Sequence, residues 1–235
     1  MKIAGKILKW FFHALCLVVV FGTIGLSLWR IFMLGTPNEM KGVQPNETLR
    51  KAYWENGEKL TVFYQEQNSL TRAEENAGYF GAIEVCFIEE ADQLQVVFRH
   101  NVSTLKHLKE DYSLAEVPSR SENHFDVTVV VGTDLTPDNK EDNNGNDPAC
   151  VSMVRYYPSS CTEYQNSLYN YYKLTFDGVS IDDLTLVVYM DVYYKGDVNY
   201  DKKPYGTLCL YDYGLKRIER KLSDSNLSAI ATFEN

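Results

Sequence analysis

A mainly β fold behind one membrane-spanning helix is the class this sequence predicts, on three observations. Trp10 to Trp29, WFFHALCLVVVFGTIGLSLW, is twenty residues without a charge, the length a helix needs to cross a hydrocarbon core of about 30 Å. From Leu60 onward apolar and polar residues alternate with a period of two, as in strands with one buried face. Turn signals such as Asp177-Gly178 and Lys195-Gly196-Asp197 separate these segments with little helix between them, favouring an antiparallel sandwich over a parallel sheet.

The span comes first in the chain. A helix satisfies every backbone N–H and C=O within itself, as lipid requires, and Trp10 and Trp29 mark its two ends, where indole rings prefer the headgroup level. Lys2, Lys6 and Lys9 precede it and no acidic residue occurs before Glu39, so the positive-inside rule puts the N-terminus in the cytoplasm. Arg30 opposes that bias and must snorkel to the outer interface. A cleaved signal peptide would have a shorter apolar region and a small-x-small site, whereas this run continues into Leu28-Trp29-Arg30-Ile31-Phe32. Cys16 lacks the upstream pattern of a lipoprotein cysteine. The segment reads as an uncleaved signal anchor, with Gly22, Thr23, Gly25 and Ser27 small enough to admit a neighbouring helix.

Charge and length bound the rest of the chain. It has 235 residues and net charge −9, and its first 35 residues carry +4, which leaves −13 on the other 200. Such a surface repels nucleic acid and anionic lipid, and 200 residues suffice for one domain with its own core. The expected organisation is a cytoplasmic N-terminus at 1–9, the transmembrane helix at 10–34, a juxtamembrane helical linker at 35–59, an extracytoplasmic β-sandwich at 60–213 and a tail at 214–235. In the linker, Asn46 caps a short helix over Glu47 to Asn56 that stops at Gly57. Leu49, Tyr53 and Trp54 recur there at helical spacing. Thr71-x-x-Glu74 resembles a capping box, but Gly78 limits it to about one turn.

Four strands are plain. Leu94, Val96 and Phe98 alternate with Gln95, Val97 and Arg99, and Phe125, Val127, Val129 and Val131 with Asp126, Thr128 and Val130. Tyr172, Leu174 and Phe176 alternate with Lys173, Thr175 and Asp177, and Leu184, Leu186, Val188, Met190 and Val192 repeat the pattern. Weaker segments near 60–65, 80–88, 151–157 and 206–212 bring the total to about eight. That number, with turns at this spacing, predicts an immunoglobulin-like β-sandwich with one or two short helices. One helix is Ser103 to Tyr112, with Leu105, Leu108 and Tyr112 on one face and Ser103 as its cap. The basic run Lys216-Arg217-x-x-Arg220-Lys221 reads as a solvated helix face.

The candidate chemical sites are sparse. The four histidines, 13, 100, 107 and 124, show no metal-ligand spacing, and only His100 with His107 invites one. Cys86, Cys150, Cys161 and Cys209 admit three pairings, of which Cys150 with Cys161 and Cys86 with Cys209 is one. No Cys–His arrangement singles out a nucleophile. The acidic stretch Asp134 to Asp147 is rich in oxygen ligands for Ca²⁺, but counting from Gly145 as the sixth EF-hand position puts Lys140 first and Val151 twelfth. A solvated loop is the default there. Sequons occur at Asn46, Asn101 and Asn226. No phosphate loop, dinucleotide fingerprint or nucleophile elbow is present. No catalytic residue, metal ligand or cofactor is assigned.

Tyrosine is the remaining signal, with 13 of 17 between Tyr156 and Tyr213. Adjacent pairs such as Tyr156-Tyr157, Tyr171-Tyr172 and Tyr193-Tyr194 send one ring to each face of a strand, so half of them are expected outside. Exposed tyrosine suits protein or glycan recognition, although it is also a good strand residue. Tyr157, Tyr171, Tyr189 and Tyr193 are the candidate contact residues.

The anchor followed by AYWENG, GYFGA, LQVVFRHNVSTLKHLKEDY, FDVTVVVGTDLTP, RYYP, FDG and DVYYKGDVNYDKKPYGTLCLYD resembles a family of uncharacterised single-pass membrane proteins of Clostridia-type Firmicutes. The last block is the most specific part, and the similarity covers most of the chain. The resemblance implies location and architecture, transfers no catalytic residue, and implies free thiols, since such bacteria rarely oxidise exported cysteines. The function expected is a binding or scaffold component of the bacterial cell envelope, held by the lipid bilayer through its helix and facing an envelope protein, with no nucleic acid. The alternatives are an envelope hydrolase with an unrecognised site and a calcium- or carbohydrate-binding module.

Overall fold

The computed structural model describes residues 2–65, 80–134, 151–181, 185–197, 199–200, 203–212 and 217–233. The fold is mainly β, with two antiparallel sheets and an N-terminal apolar helix. That helix, α1, runs from Lys2–Leu34. Its stretch Trp10–Ile31 is long and apolar enough to cross a membrane, and none of it is buried in the protein. Two short helices form where caps and apolar stripes predict them. In α2, Glu47–Glu55, the Asn46 side chain accepts from the Leu49 N–H as its cap. In α3, Val102–Asp111, the cap is Asn101, accepting from Thr104 N–H, rather than Ser103. Asparagine at this position satisfies an orphan N–H of the first turn, and it starts the helix at the last residue of the preceding strand.

The strands are β1 (Val62–Gln65), β2 (Phe80–Ile88), β3 (Gln93–Asn101), β4 (Phe125–Asp134), β5 (Val151–Tyr156), β6 (Ser160–Gln165), β7 (Tyr169–Asp177), β8 (Thr185–Tyr194), β9 (Gly206–Asp212) and β10 (Arg217–Arg220). One sheet has the order β10-β1-β2-β3-β7-β6 and the other β5-β4-β8-β9. The alternating residues do what their pattern predicts. Val85, Phe87, Leu94, Val96, Phe98, Tyr172, Leu174 and Phe176 from the larger sheet meet Val127, Val129, Val131, Val188, Met190, Val192, Leu208 and Leu210 from the smaller in one core. Phe80, His100, Phe125, Tyr172 and Tyr205 close one end of it through edge-on and stacked rings, a favourable aromatic arrangement.

Two segments read as linker and tail join the larger sheet. Arg217–Arg220 is a strand paired with β1, not a helix face, and Arg220 stacks over the Tyr64 ring at 5.1 Å. A fourth helix, α4 (Asp224–Ala231), follows with Ser223 as its cap. Its Ile230 packs with Leu49, Ala52 and Tyr53 of α2 against Val62, Cys86 and Ile88. Beside them residues 36–44 lie across the outer face as a strap. Met40 is buried against Val97 and Tyr171, Gln44 N–H donates to Gln95 Oε1 while Gln95 Nε2 donates to Gln44 O, and Lys173 Nζ donates to Gly42 O. The larger sheet is therefore covered on both faces. Gln93, Gln95, Lys173 and Thr175, polar residues opposite the core, are all buried.

Candidate functional site

The smaller sheet carries the candidate site on its outer face. Because Val127, Val129, Val188, Met190 and Val192 point inward, their neighbours point out, and the register sets them in rows. Asp126 lies opposite Tyr193, Thr128 opposite Asp191 and Val130 opposite Tyr189. Asp191 is also opposite Thr207, and Val130 opposite Arg155. Tyr200, from the β8–β9 connection, folds over this surface. Its hydroxyl donates to the Asp126 carboxylate, its carbonyl accepts from Arg155 Nη1 at 2.8 Å, and its ring meets the rings of Tyr193 and Tyr157 edge-on at 5.1 and 5.4 Å. The Arg155 guanidinium lies 5.8 Å from the Tyr193 ring centre and 5.5 Å from that of Tyr200, within cation–π reach.

Beneath that cover the sheet is polar. Thr207 Oγ1 donates to Asp191 Oδ1 at 2.8 Å. Burial pushes the Asp191 carboxyl up from the usual range, with Thr207 and Arg155 drawing it back. Tyr200 is raised to about 12, first by its hydrogen bond to Asp126. The Thr128 hydroxyl is buried and completes no hydrogen bond, which for a buried polar group costs about 1–3 kcal/mol, while the Tyr193 hydroxyl lies against the Asp191 carboxylate. Such a surface offers fixed donors, acceptors and rings to a ligand.

The four tyrosines singled out by sequence have different fates. Tyr157 is 54% exposed and Tyr189 half-buried, both at this face, whereas Tyr193 is only 3% exposed beneath Tyr200. Tyr171 lies on the other sheet and is fully buried among Met40, Val97, Tyr164 and Tyr169. Its neighbour Tyr172 is in the core, so the rule of one ring per face holds but the outer ring is hidden by the strap. Sequence reasoning missed Tyr200, Arg155, Asp126 and Asp191. Asp191, Tyr193 and Tyr200 do fall in one run of the sequence, DVYYKGDVNY, but the fold-back of that run is not visible in it.

Elsewhere the reactive residue types are structural. His100 is buried against Phe80, Phe125 and Tyr172 and does not form a site with His107, which pairs with Glu110 on α3. No group of three or more His, Cys, Asp or Glu among the described residues is placed to hold a metal ion. Cys16, Cys86 and Cys161 are free thiols. Cys86 packs on the outer side of the larger sheet and Cys209 belongs to the smaller one, so the core separates them and the pairing of Cys86 with Cys209 is not made. Burial raises the Cys86 thiol to about 12, leaving little nucleophilic thiolate there, whereas Cys161 is exposed on β6. Cys150 and positions 135–147 of the acidic loop lie outside the described residues. No protein-family model, curated protein or solved structure matches this chain.

Proposed function

We propose that the chain is a membrane-anchored extracytoplasmic binding or scaffold component of the bacterial cell envelope, acting through the outer face of the smaller sheet. The observation that carries the reading is the edge strand β5. Met153 and Val154 are 57% and 44% exposed along a strand whose far side has no partner strand among the described residues, and Tyr157, just past its end, is 54% exposed. An exposed edge with apolar side chains is a template for pairing with another chain. Tethering by α1 would raise the effective concentration of this edge for a neighbour in the same membrane.

The connectivity supports an immunoglobulin-like form of the sandwich. The orders β2-β3-β7-β6 and β5-β4-β8-β9 follow A-B-E-D and C′-C-F-G of that fold, with β1 and β10 added at one edge. On this assignment the tyrosine face is the C′-C-F-G face. The resemblance to Clostridia-type membrane proteins agrees with an envelope location and remains part of the proposal.

The test is photo-cross-linking in cells from Tyr157 and Tyr189, with identification of what is attached. One abundant envelope protein captured from both positions is the expected result, and no adduct from either sinks the reading. The carboxylates of Asp126 and Asp191 on the same face as the exposed Tyr157 ring favour a second reading, a saccharide held by carboxylate hydrogen bonds and ring stacking. It requires binding to a glycan array that Asp191→Asn abolishes.

A further inference from the structure

We infer that the β-domain is seated on the bilayer in a fixed orientation, with Arg99, Tyr164 and Tyr169 at the level of the lipid headgroups of its own membrane. This rests on the reading of α1 as a membrane span. Helix length sets the height of the seat. The apolar stretch Trp10–Ile31 has 22 residues, and at about 1.5 Å per residue it covers about 33 Å, matching a hydrocarbon core of about 30 Å. Leu34 is three residues further, about 4.5 Å beyond the core edge. The headgroup layer extends about 5–7 Å past that edge on each side.

A set of contacts lies at that height. Arg99 Nη1 donates to Leu34 O at 3.1 Å, and the Tyr171 hydroxyl donates to Gly35 O at 3.3 Å. Both accepting carbonyls are at the C-terminal end of α1, where a helix leaves its last carbonyls without partners. Arg99 also lies over the Tyr169 ring at 4.1 Å, and Tyr169 and Tyr164 each meet Tyr171 edge-on, at 6.0 and 6.2 Å. All four residues sit on the paired ends of β3, β7 and β6. Residues bonded to the helix end within the headgroup layer are themselves in or beside that layer.

Their chemistry suits that depth. Tyrosine and arginine are the side chains that membrane interfaces accept, the ring resting at headgroup depth and the guanidinium reaching water and phosphate. Arg99 has five N–H donors, enough to hold Leu34 O and a lipid phosphate together. The strap makes the seat rigid. Within ten residues of the helix end, Met40 is buried and Gly42 O and Gln44 are bonded to Lys173 and Gln95. The occupant of this surface is the phospholipid headgroup layer of the anchoring membrane, and the seat holds despite the −13 charge of the residues beyond the helix, which alone would repel an anionic surface.

The experiment uses the full chain in phosphatidylcholine–phosphatidylglycerol vesicles containing lipids spin-labelled at the headgroup. A fluorescent amino acid is placed either at Ser167, in the exposed turn between β6 and β7 beside Tyr169, or at Glu89, at the opposite end of the nine-residue β3, about 30 Å away. Quenching several-fold stronger at Ser167 than at Glu89 is expected, with the difference reduced at least twofold by Arg99→Ala combined with Tyr171→Phe. Vesicle flotation separates the two ways of failing. A chain that does not float overturns the anchor and the seat with it, whereas a chain that floats with equal quenching at both positions overturns the seat alone.

Discussion

His100 shows how one side chain in this domain couples burial to acidity. It is the last inward residue before α3, packed against Phe80, Phe125 and Tyr172 with its Nε2 facing the Tyr172 hydroxyl at 3.3 Å. Burial lowers its pKa from 6.5 to about 4, only partly countered by Asn101 O. The folded state therefore binds fewer protons than the unfolded state between those values, so this contribution is complete above about pH 6.5 and is lost as the pH falls towards 4. At about 1.4 kcal/mol per unit, the loss is about 3 kcal/mol at most. Chemical denaturation in detergent at pH 7 and pH 4.5 checks it: the wild-type chain should lose about 2–3 kcal/mol more than His100→Phe, and equal losses refute it. Glu84 and Asp191, raised by burial, act in the opposite sense, which is why the difference between the two chains is the quantity to read. The inward placement of His100 was legible, since it continues Leu94, Val96 and Phe98 at period two. The burial of Tyr171 and Lys173 was not, because alternation identifies the face opposite the core and cannot say what covers it.

At the scale of elements, the strap decides which residues belong to the domain. Short local patterns were readable where a cap and an apolar stripe coincide, as at Asn46 and α2. They failed at β10, where four residues are too few to establish a period and the charges of Arg217 and Arg220 suggest a solvated helix. The strap has no period at all, and its signals are single residues. Met40 has no exposed surface, so Met40→Ala should lower the unfolding free energy by about 2–5 kcal/mol although the residue sits six positions past α1. Gly42 adopts φ +71, and a Cβ there would lie 3.1 Å from Asn226 Nδ2. Gly42→Ala should therefore cost about 1–2 kcal/mol from the left-handed backbone and loosen the contact between strap and α4. Both are measured by denaturant titration of the full chain, with faster amide exchange at Val97 as the local readout for Met40→Ala. Wild-type stability in both variants would mean that the strap is a passive linker.

For the whole molecule, on the proposed reading of α1 as a membrane span, the question is which side of that membrane the sheets would occupy. The class of fold was legible because alternation sustained over whole strands and a twenty-residue apolar run are long-range signals, whereas the order of strands depends on pairings that no single segment encodes. Orientation depends on a smaller signal still. Lys2, Lys6 and Lys9 lie on one side of the span and Arg30 near its other end, a bias of three against one that favours an N-terminus in the cytoplasm. The far side carries −13, but acidic residues contribute little to orientation, so the three lysines must do the sorting. An epitope fused after Asn235 should then be digested by protease added to intact cells, while one fused before Met1 is protected until the membrane is opened. Replacing Lys2, Lys6 and Lys9 by asparagine leaves Arg30 as the strongest flanking charge and should protect a substantial fraction of the C-terminal epitope. If the wild-type C-terminal epitope is protected in intact cells, the tyrosine face of the smaller sheet lies in the cytoplasm, and a cell-envelope partner for it is ruled out.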